Sequence, residues 1–235
     1  PAAACPPHSP PPSPSPPPSP PSPPSPPPPY PPPSPPPSPP PSPPPQYAFA
    51  DKASLQVAVD LWCSNETAAL VTYGPISTWN VRAITDMSNL FLGQTTCNPE
   101  IGDWDMSSVT TTLYMLRNAE SFNQPLNSWD TSSVTDTRYM FAGAASFNQP
   151  LNSWDTSSIK NTYAMFYGAD AFNQPINSWN MSSITITVMM FREAVSFDQD
   201  ISAWDLSSNT ACGLMFRDAT SNTCTISSSC QAISC

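Results

Sequence analysis

A polar residue follows tryptophan at a fixed interval in this chain: Trp104-Asp105, Trp129-Asp130, Trp154-Asp155, Trp179-Asn180 and Trp204-Asp205. Carboxylates repeated in one column could form a ladder for calcium or for glycan hydroxyls. The same positions also fit an Asx turn, in which the side chain accepts from the backbone N–H of the serines two and three residues later. Asn180 fills the column without a charge, which a turn tolerates and a metal ladder does not. The turn is the better reading.

Two further polar columns run beside it. Asn123, Asn148 and Asn173, with Asn98 and Asp198, form one; Gln124, Gln149, Gln174 and Gln199 form the other. One should run inside a bend and bond backbone groups of the next unit, while the other faces outward. Arg117, Arg192 and Arg217 share a column, and Arg138 lies elsewhere. Beside so many acids they read first as surface salt-bridge partners, each worth little, and second as contacts to an acidic neighbour in an assembly. Enzymatic constellations are poor. The single histidine is His8, far from the tryptophan units, and no G-x-S-x-G or phosphate-binding glycine loop occurs. A carboxylate pair for glycoside hydrolysis can be picked from any repeat this acidic, so no chosen pair carries information. No catalytic, cofactor-binding or metal-binding residue is assigned, and the chain is read as a non-enzyme without cofactors.

Modification signals are stronger. Asn65-Glu66-Thr67 and Asn180-Met181-Ser182 fit the N-glycosylation pattern. Residues 6–45 hold 29 Pro and 9 Ser, besides His8 and Tyr30. Each of these serines, Ser9, Ser13, Ser15, Ser19, Ser22, Ser25, Ser34, Ser38 and Ser42, is followed by proline, which reads as an O-glycosylated stalk. Seven cysteines occur, none in C-x-x-C spacing. Cys63 and Cys97 can clamp an N-terminal cap to the second coil. Pairing among Cys212, Cys224, Cys230 and Cys235 stays open, and Cys5 is left free or linked to another chain. Disulfide usage implies an oxidising, extracellular setting. No leader is legible at Pro1, which then implies one already removed.

These residues are positioned by a 25-residue unit. Its tryptophans are Trp79, Trp104, Trp129, Trp154, Trp179 and Trp204, with Ile76, Ile101, Leu126, Leu151, Ile176 and Ile201 three positions earlier. Met-Phe steps such as Met140-Phe141, then Ala144 and Phe147, complete the columns. Constant spacing predicts a repeat solenoid, with a short parallel strand per coil around Phe-Asn-Gln-Pro-Leu-x-x-Trp and a helical or 3-10 turn around Met-Phe-x-x-Ala. Residues 46–74 predict a capping helix, because Leu55, Ala58, Val59 and Trp62 recur at helical spacing after Asp51. Residues 75–228 are the solenoid, and 229–235 a Cys-rich C-terminal cap. Residues 1–45 predict an extended polyproline II arm, since proline fixes φ and lacks a donor. At about 3.1 Å per residue such an arm reaches roughly 120 Å. Seven coils at strand spacing would measure only about 34 Å.

The formal charge is −10 with pI ≈ 4.1 and no basic cluster. That argues against nucleic acid as a partner, and no apolar run is long enough to insert in a membrane.

The columns M-F-x-x-A-x-x-F-N-Q-P-L/I-x-x-W-D-x-S-x-V/I-T over residues 75–228 resemble the 25-residue repeat of bacterial-surface-type leucine-rich-like proteins. The Ser-Pro-Pro-Pro stretch is similar to the hydroxyproline-rich glycoproteins of green-algal walls and flagellar surfaces and to extensins. Glu100 and Asp200 replace the repeat's proline, and Cys97 stands in its phenylalanine column. The resemblance implies a surface protein without enzymatic activity, its prolines hydroxylated and arabinosylated. It also implies cross-linking of Tyr30 and Tyr47, which as plain residues read as packing tyrosines. The expected function is a structural subunit of an extracellular glycoprotein filament, sheath or surface layer, assembling through its arm. Its partners would be copies of itself in a homopolymer, other wall or surface glycoproteins, and covalent glycans. The alternative is an adhesion or glycan/peptide recognition module on a glycosylated stalk. Either way the chain is expected in the cell wall, matrix or flagellar surface.

Overall fold

The computed structural model describes residues 46–227, 229–230 and 233–234. The chain divides after Pro43, and every described residue belongs to the second unit, Pro44–Cys235. The expected polyproline II arm, residues 1–45, lies outside the described residues.

Helix α1, Lys52–Ser64, begins at Asp51, which is extended and whose carboxylate accepts from the Ser54 N–H at 2.8 Å. That bond satisfies one of the donors a helix start leaves unpaired. Leu55, Ala58 and Val59 lie on one face and are buried. The helix stops at Asn65, whose own N–H reaches the Leu61 carbonyl at 2.7 Å. The Asn65 side chain then accepts from the Ala68 N–H at 3.1 Å and starts α2, Glu66–Tyr73. One residue caps both helices, so the single capping helix expected from the sequence is two. Gly74, at φ +74°, turns the chain into a 3-10 turn at Ile76–Thr78.

From there the chain advances in 25-residue units. Parallel bridges join Asp86 to Thr111, Thr111 to Asp136, Asp136 to Asn161, Asn161 to Ile186 and Ile186 to Ala211, each one residue long. Like side chains meet across successive units. Phe141, Phe166, Phe191 and Phe216 are spaced at 5.4, 5.6 and 5.9 Å between ring centroids. Trp154, Trp179 and Trp204 are nearly coplanar-stacked at 6.3 and 6.4 Å. Each indole N–H is paired as well: Trp154 Nε1 donates to the Leu126 carbonyl at 2.9 Å and Trp179 Nε1 to the Leu151 carbonyl at 2.9 Å. The core is thus a set of aromatic and aliphatic columns, buried together with Ala119, Ala144, Ala169 and Ala194.

The expected solenoid of strand-and-turn coils is not what forms. Among the described residues the only strands are β1, Thr225–Ile226, and β2, Ile233–Ser234, two residues each, which pair antiparallel near the C-terminal end and not from unit to unit. The Phe-Asn-Gln-Pro-Leu-x-x-Trp stretch makes no strand, and Met-Phe-x-x-Ala makes neither helix nor 3-10 turn. Proline at 125, 150 and 175 withholds a ladder donor from the first stretch. In the second, the backbone repeatedly changes hand. Asn89, Tyr114, Tyr139, Ala164, Met189 and Leu214 are left-handed, and so, four residues on, are Gly93, Asn118, Gly143, Gly168, Glu193 and Asp218. Neither a right-handed helix nor a strand continues through such residues.

What this alternation produces is a ladder made of turns. Thr137, Tyr139, Phe141 and Gly143 donate their N–H to the carbonyls of Asn161, Tyr163, Met165 and Tyr167, at 3.2, 2.9, 2.9 and 2.7 Å. Between them Met140, Ala142 and Ala144 close back onto Thr137, Tyr139 and Phe141 at 3.1, 3.2 and 3.0 Å. Alternate donors point to the next unit and the rest point home, so the buried backbone is paired without a strand. No helix among the described residues is long and apolar enough to cross a membrane.

Candidate functional site

The Asp column resolves into Asx turns. Oδ1 of Asp105, Asp130, Asp155, Asn180 and Asp205 accepts the N–H of the serine two residues on, at 3.1, 3.0, 2.9, 3.1 and 2.9 Å. The serine three residues on is not the donor. Hydroxyls of Ser107, Ser132 and Ser182 add a second bond at 2.6, 2.6 and 2.7 Å. The Ser107 hydroxyl holds the Asp105 carboxyl below its ordinary range, and the Ser157 hydroxyl does the same to Asp155. Among the described residues no group of three His, Cys, Asp or Glu side chains could hold a metal ion.

The asparagine column is a ladder of side chain to backbone. Asn98 Oδ1 accepts the N–H of Asn123 at 2.9 Å, Asn123 Oδ1 that of Asn148 at 3.0 Å, Asn148 Oδ1 that of Asn173 at 2.9 Å, and Asn173 Oδ1 that of Asp198 at 3.0 Å. The glutamines join the same acceptors: Gln149, Gln174 and Gln199 donate through Nε2 to Asn123, Asn148 and Asn173 at 3.0, 2.9 and 2.7 Å. Both columns therefore work within the stack, where only one was expected to. A glutamine stripe reaching out for ligand is not what they form.

Cys63 is bonded to Cys97 and Cys212 to Cys230, with Cα–Cα distances of 5.2 and 5.5 Å. The first ties the end of α1 to the repeat, and the second ties the last unit to the C-terminal turn. Cys224 is also disulfide-bonded. Cys5, Cys235 and the nine Ser-Pro serines lie outside the described residues. Asn65 and Asn180 are both exposed, and each engages its side-chain oxygen locally, as a helix cap and in a turn. Tyr47 sits against Tyr73 and Phe49 at 4.8 and 4.9 Å.

The arginines do something the sequence columns do not announce. Arg117 lies over the rings of Tyr114 and Tyr139 at 5.2 and 5.3 Å, and Arg192 over Tyr167 at 5.5 Å. Arg138 forks onto its near neighbour Asp136, Nη2 to Oδ2 at 2.7 Å, which raises the guanidinium's already high pKa. Tyr114, Tyr139 and Tyr163 stand in a file with centroid steps of 4.8 and 5.1 Å. Burial, then a hydrogen bond with Tyr163, pushes the Tyr139 hydroxyl up to about 12. A bond to Glu193 raises Tyr167. Tyr139, Tyr167, Arg117 and Arg192 wall a groove floored by Ala142, Gly143 and Ala164. Sequence reading passes over these tyrosines; the signal is the 25-residue step from Tyr114 to Tyr139, with Tyr163 one position short of the next. A second cleft lies over the Cys63–Cys97 bond, edged by Glu66, Leu70 and Glu100.

A family model described as Mycoplasma protein of unknown function, DUF285, matches residues 62–169 and again 126–229. No curated protein and no solved structure matches the chain. The expected likeness to leucine-rich-like repeats is corrected by these findings. The matching family bears no such description, and the units lack the strand on which that kind of repeat is built. The hydroxyproline-rich likeness concerns residues outside those described.

Proposed function

The chain belongs to the DUF285 family of unknown function, and on that premise we propose that it is a structural subunit of an extracellular glycoprotein filament, sheath or surface layer. Copies would join through the Ser/Pro-rich segment, residues 6–45. The observation that carries this reading is the engagement of the repeating polar columns. Asp side chains close turns, and Asn and Gln side chains bond unit to unit. A repeat whose polar side chains are spent on its own turns and on the neighbouring unit is built for persistence, and persistence is what an assembling subunit contributes. Disulfides at both ends of the repeat suit an oxidising setting, and two exposed sequons beside a Ser-Pro tract suit a glycosylated one.

The test is negative-stain electron microscopy with sedimentation velocity on the full chain secreted from a eukaryotic host. Fibres or sheets that grow with concentration are the expected result. A monodisperse monomer at every concentration, with its glycans intact, refutes the proposal.

A further inference from the structure

The cleft over the Cys63–Cys97 bond opens where the repeat departs from its own pattern. Cys97 stands in the column that later units fill with Phe122, Phe147 and Phe172, and Glu100 in the column they fill with proline. The cleft has a volume of about 440 Å³, within the range of small-molecule sites. Its polar groups are not spent on the stack. Neither Glu66 nor Glu100 has an ion-pair partner among the described residues. The hydroxyls of Ser77 and Thr96, which also line it, hold no hydrogen bond there. Asn98 commits its Oδ1 to the Asn123 N–H and keeps its Nδ2. Carboxylates only accept, whereas hydroxyls and amide N–H groups donate. A sugar, whose every hydroxyl both donates and accepts, matches acceptors and donors set side by side. Two carboxylates without a third group make no metal site.

A sugar attachment point stands at the rim. Asn65 lies between Ser64 and Glu66, both of which edge the cleft, and Asn65-Glu66-Thr67 is a sequon. Asn65 is exposed, and its Oδ1 is taken up in capping α2 through the Ala68 N–H at 3.1 Å. N-glycosylation substitutes only Nδ2, so the modified residue still caps the helix. We propose that Asn65 carries an N-linked glycan and that its first sugars dock in the cleft over Cys63–Cys97. The transfer forms a bond from Nδ2 to C1 of the first sugar of a polyprenyl-diphosphate oligosaccharide. It breaks that sugar's C1–O bond to the diphosphate and releases one Nδ2 proton, with no change of oxidation state. Attachment at the rim holds the sugar at high effective concentration, so weak individual contacts suffice. The docked sugar ties α2 to the second unit and screens the disulfide. The inference rests on the glycoprotein part of the reading above and gives one glycan a structural place.

The experiment uses the full chain secreted from a eukaryotic host. Glycopeptide mass spectrometry reads occupancy at Asn65, and thiol trapping reads how fast dithiothreitol reduces Cys63–Cys97. Thr67→Ala removes the sequon and leaves the Asn65 cap in place; it should speed reduction about fivefold or more, because reduction follows access to the sulfurs. Glu100→Ala keeps the glycan and removes one of its acceptors, and should speed reduction as well. In the double variant Glu100→Ala should add almost nothing, since the sugar it held is already gone. Asn180→Gln, which removes the other sequon, should leave the rate unchanged. Near-UV circular dichroism confirms the fold of each variant. A bare Asn65 in the secreted chain overturns the proposal. So does a Glu100→Ala rate equal to the parent's, which would mean a glycan that hangs free, and so does an equal effect of Glu100→Ala with and without the sequon. Sedimentation of the same samples keeps the two readings apart. A monomer with the Asn65 sugar docked refutes assembly and upholds this proposal, and an assembling chain with Asn65 bare does the reverse.

Discussion

Replacing Asn148 by alanine removes the middle rung of the asparagine ladder. Its Oδ1 accepts two bonds, from the Asn173 N–H and from Gln174 Nε2, both at 2.9 Å. The Asn148 N–H is unaffected, because the backbone still donates to Asn123. Alanine thus leaves one backbone donor and one amide donor without their acceptor in a half-buried position. A stranded donor costs about 1–3 kcal/mol when fully buried, and partial exposure to water lowers that. The loss should be about 1–2 kcal/mol, or roughly 2–8 °C in Tm for a domain of this size. Asn148→Asp keeps an acceptor of the same shape in place and should cost under about 1 kcal/mol at neutral pH. Urea unfolding followed by tryptophan fluorescence reads both variants against the parent. If alanine and aspartate lose the same amount, the acceptor is not what matters at this position. If alanine loses nothing, the ladder contributes no stability.

Other outcomes follow from the same structure. Cys63→Ser with Cys97→Ser opens a loop with a sequence separation of 34 and should cost about 3–4 kcal/mol, read as a lower urea midpoint than the parent's without reducing agent and a smaller further drop than the parent's when it is added. Asp155 is held below the ordinary carboxyl value of 3.8, so on acidification the unfolded chain takes its proton first. The stability Asp155 adds is full above that value and falls as pH drops through the lowered one; Asp155→Asn should remove this share of the pH dependence in acid titrations followed by fluorescence. Tyr139, pushed up to about 12, keeps its proton when an unfolded tyrosine near 10 has lost one, so its contribution is full below 10 and fades towards 12. Ultraviolet titration should show a late tyrosine step that Tyr139→Phe abolishes, leaving any delay of Tyr167 in place. Gly143, at φ +69°, has Asn118 Oδ1 where a Cβ would stand, whereas Gly168, at φ +61°, faces open space; Gly143→Ala should therefore lower Tm more than Gly168→Ala does.

The limits of sequence reading are clearest in the Met-Phe-x-x-Ala stretch. Tyr114, Tyr139 and Met189 are not residues that suggest a left-handed backbone, since a Cβ there meets the following carbonyl. They adopt it because their N–H groups, so turned, reach the carbonyls of Arg138, Tyr163 and Gly213 in the next unit at 3.0, 2.9 and 3.1 Å. Local propensity sees the steric cost and not the partner 24 residues away. The same gap hid the tyrosine–arginine groove, whose members come from four successive units.

By itself the sequence determined the 25-residue period, because each tryptophan, phenylalanine and alanine column must lie on its own copy to bury its apolar surface. It also determined the turns after tryptophan, since Asp or Asn followed two residues later by serine closes locally without help from the rest of the chain. Tertiary structure alone decided that the units pair through alternating turns and not through strands. Only it decided, too, that Gln joins Asn on one ladder and that Arg117 and Arg192 rest on tyrosine rings. Each of those outcomes is set by a partner in a neighbouring unit, and the hydrogen bond or ring contact exists only once the units are stacked.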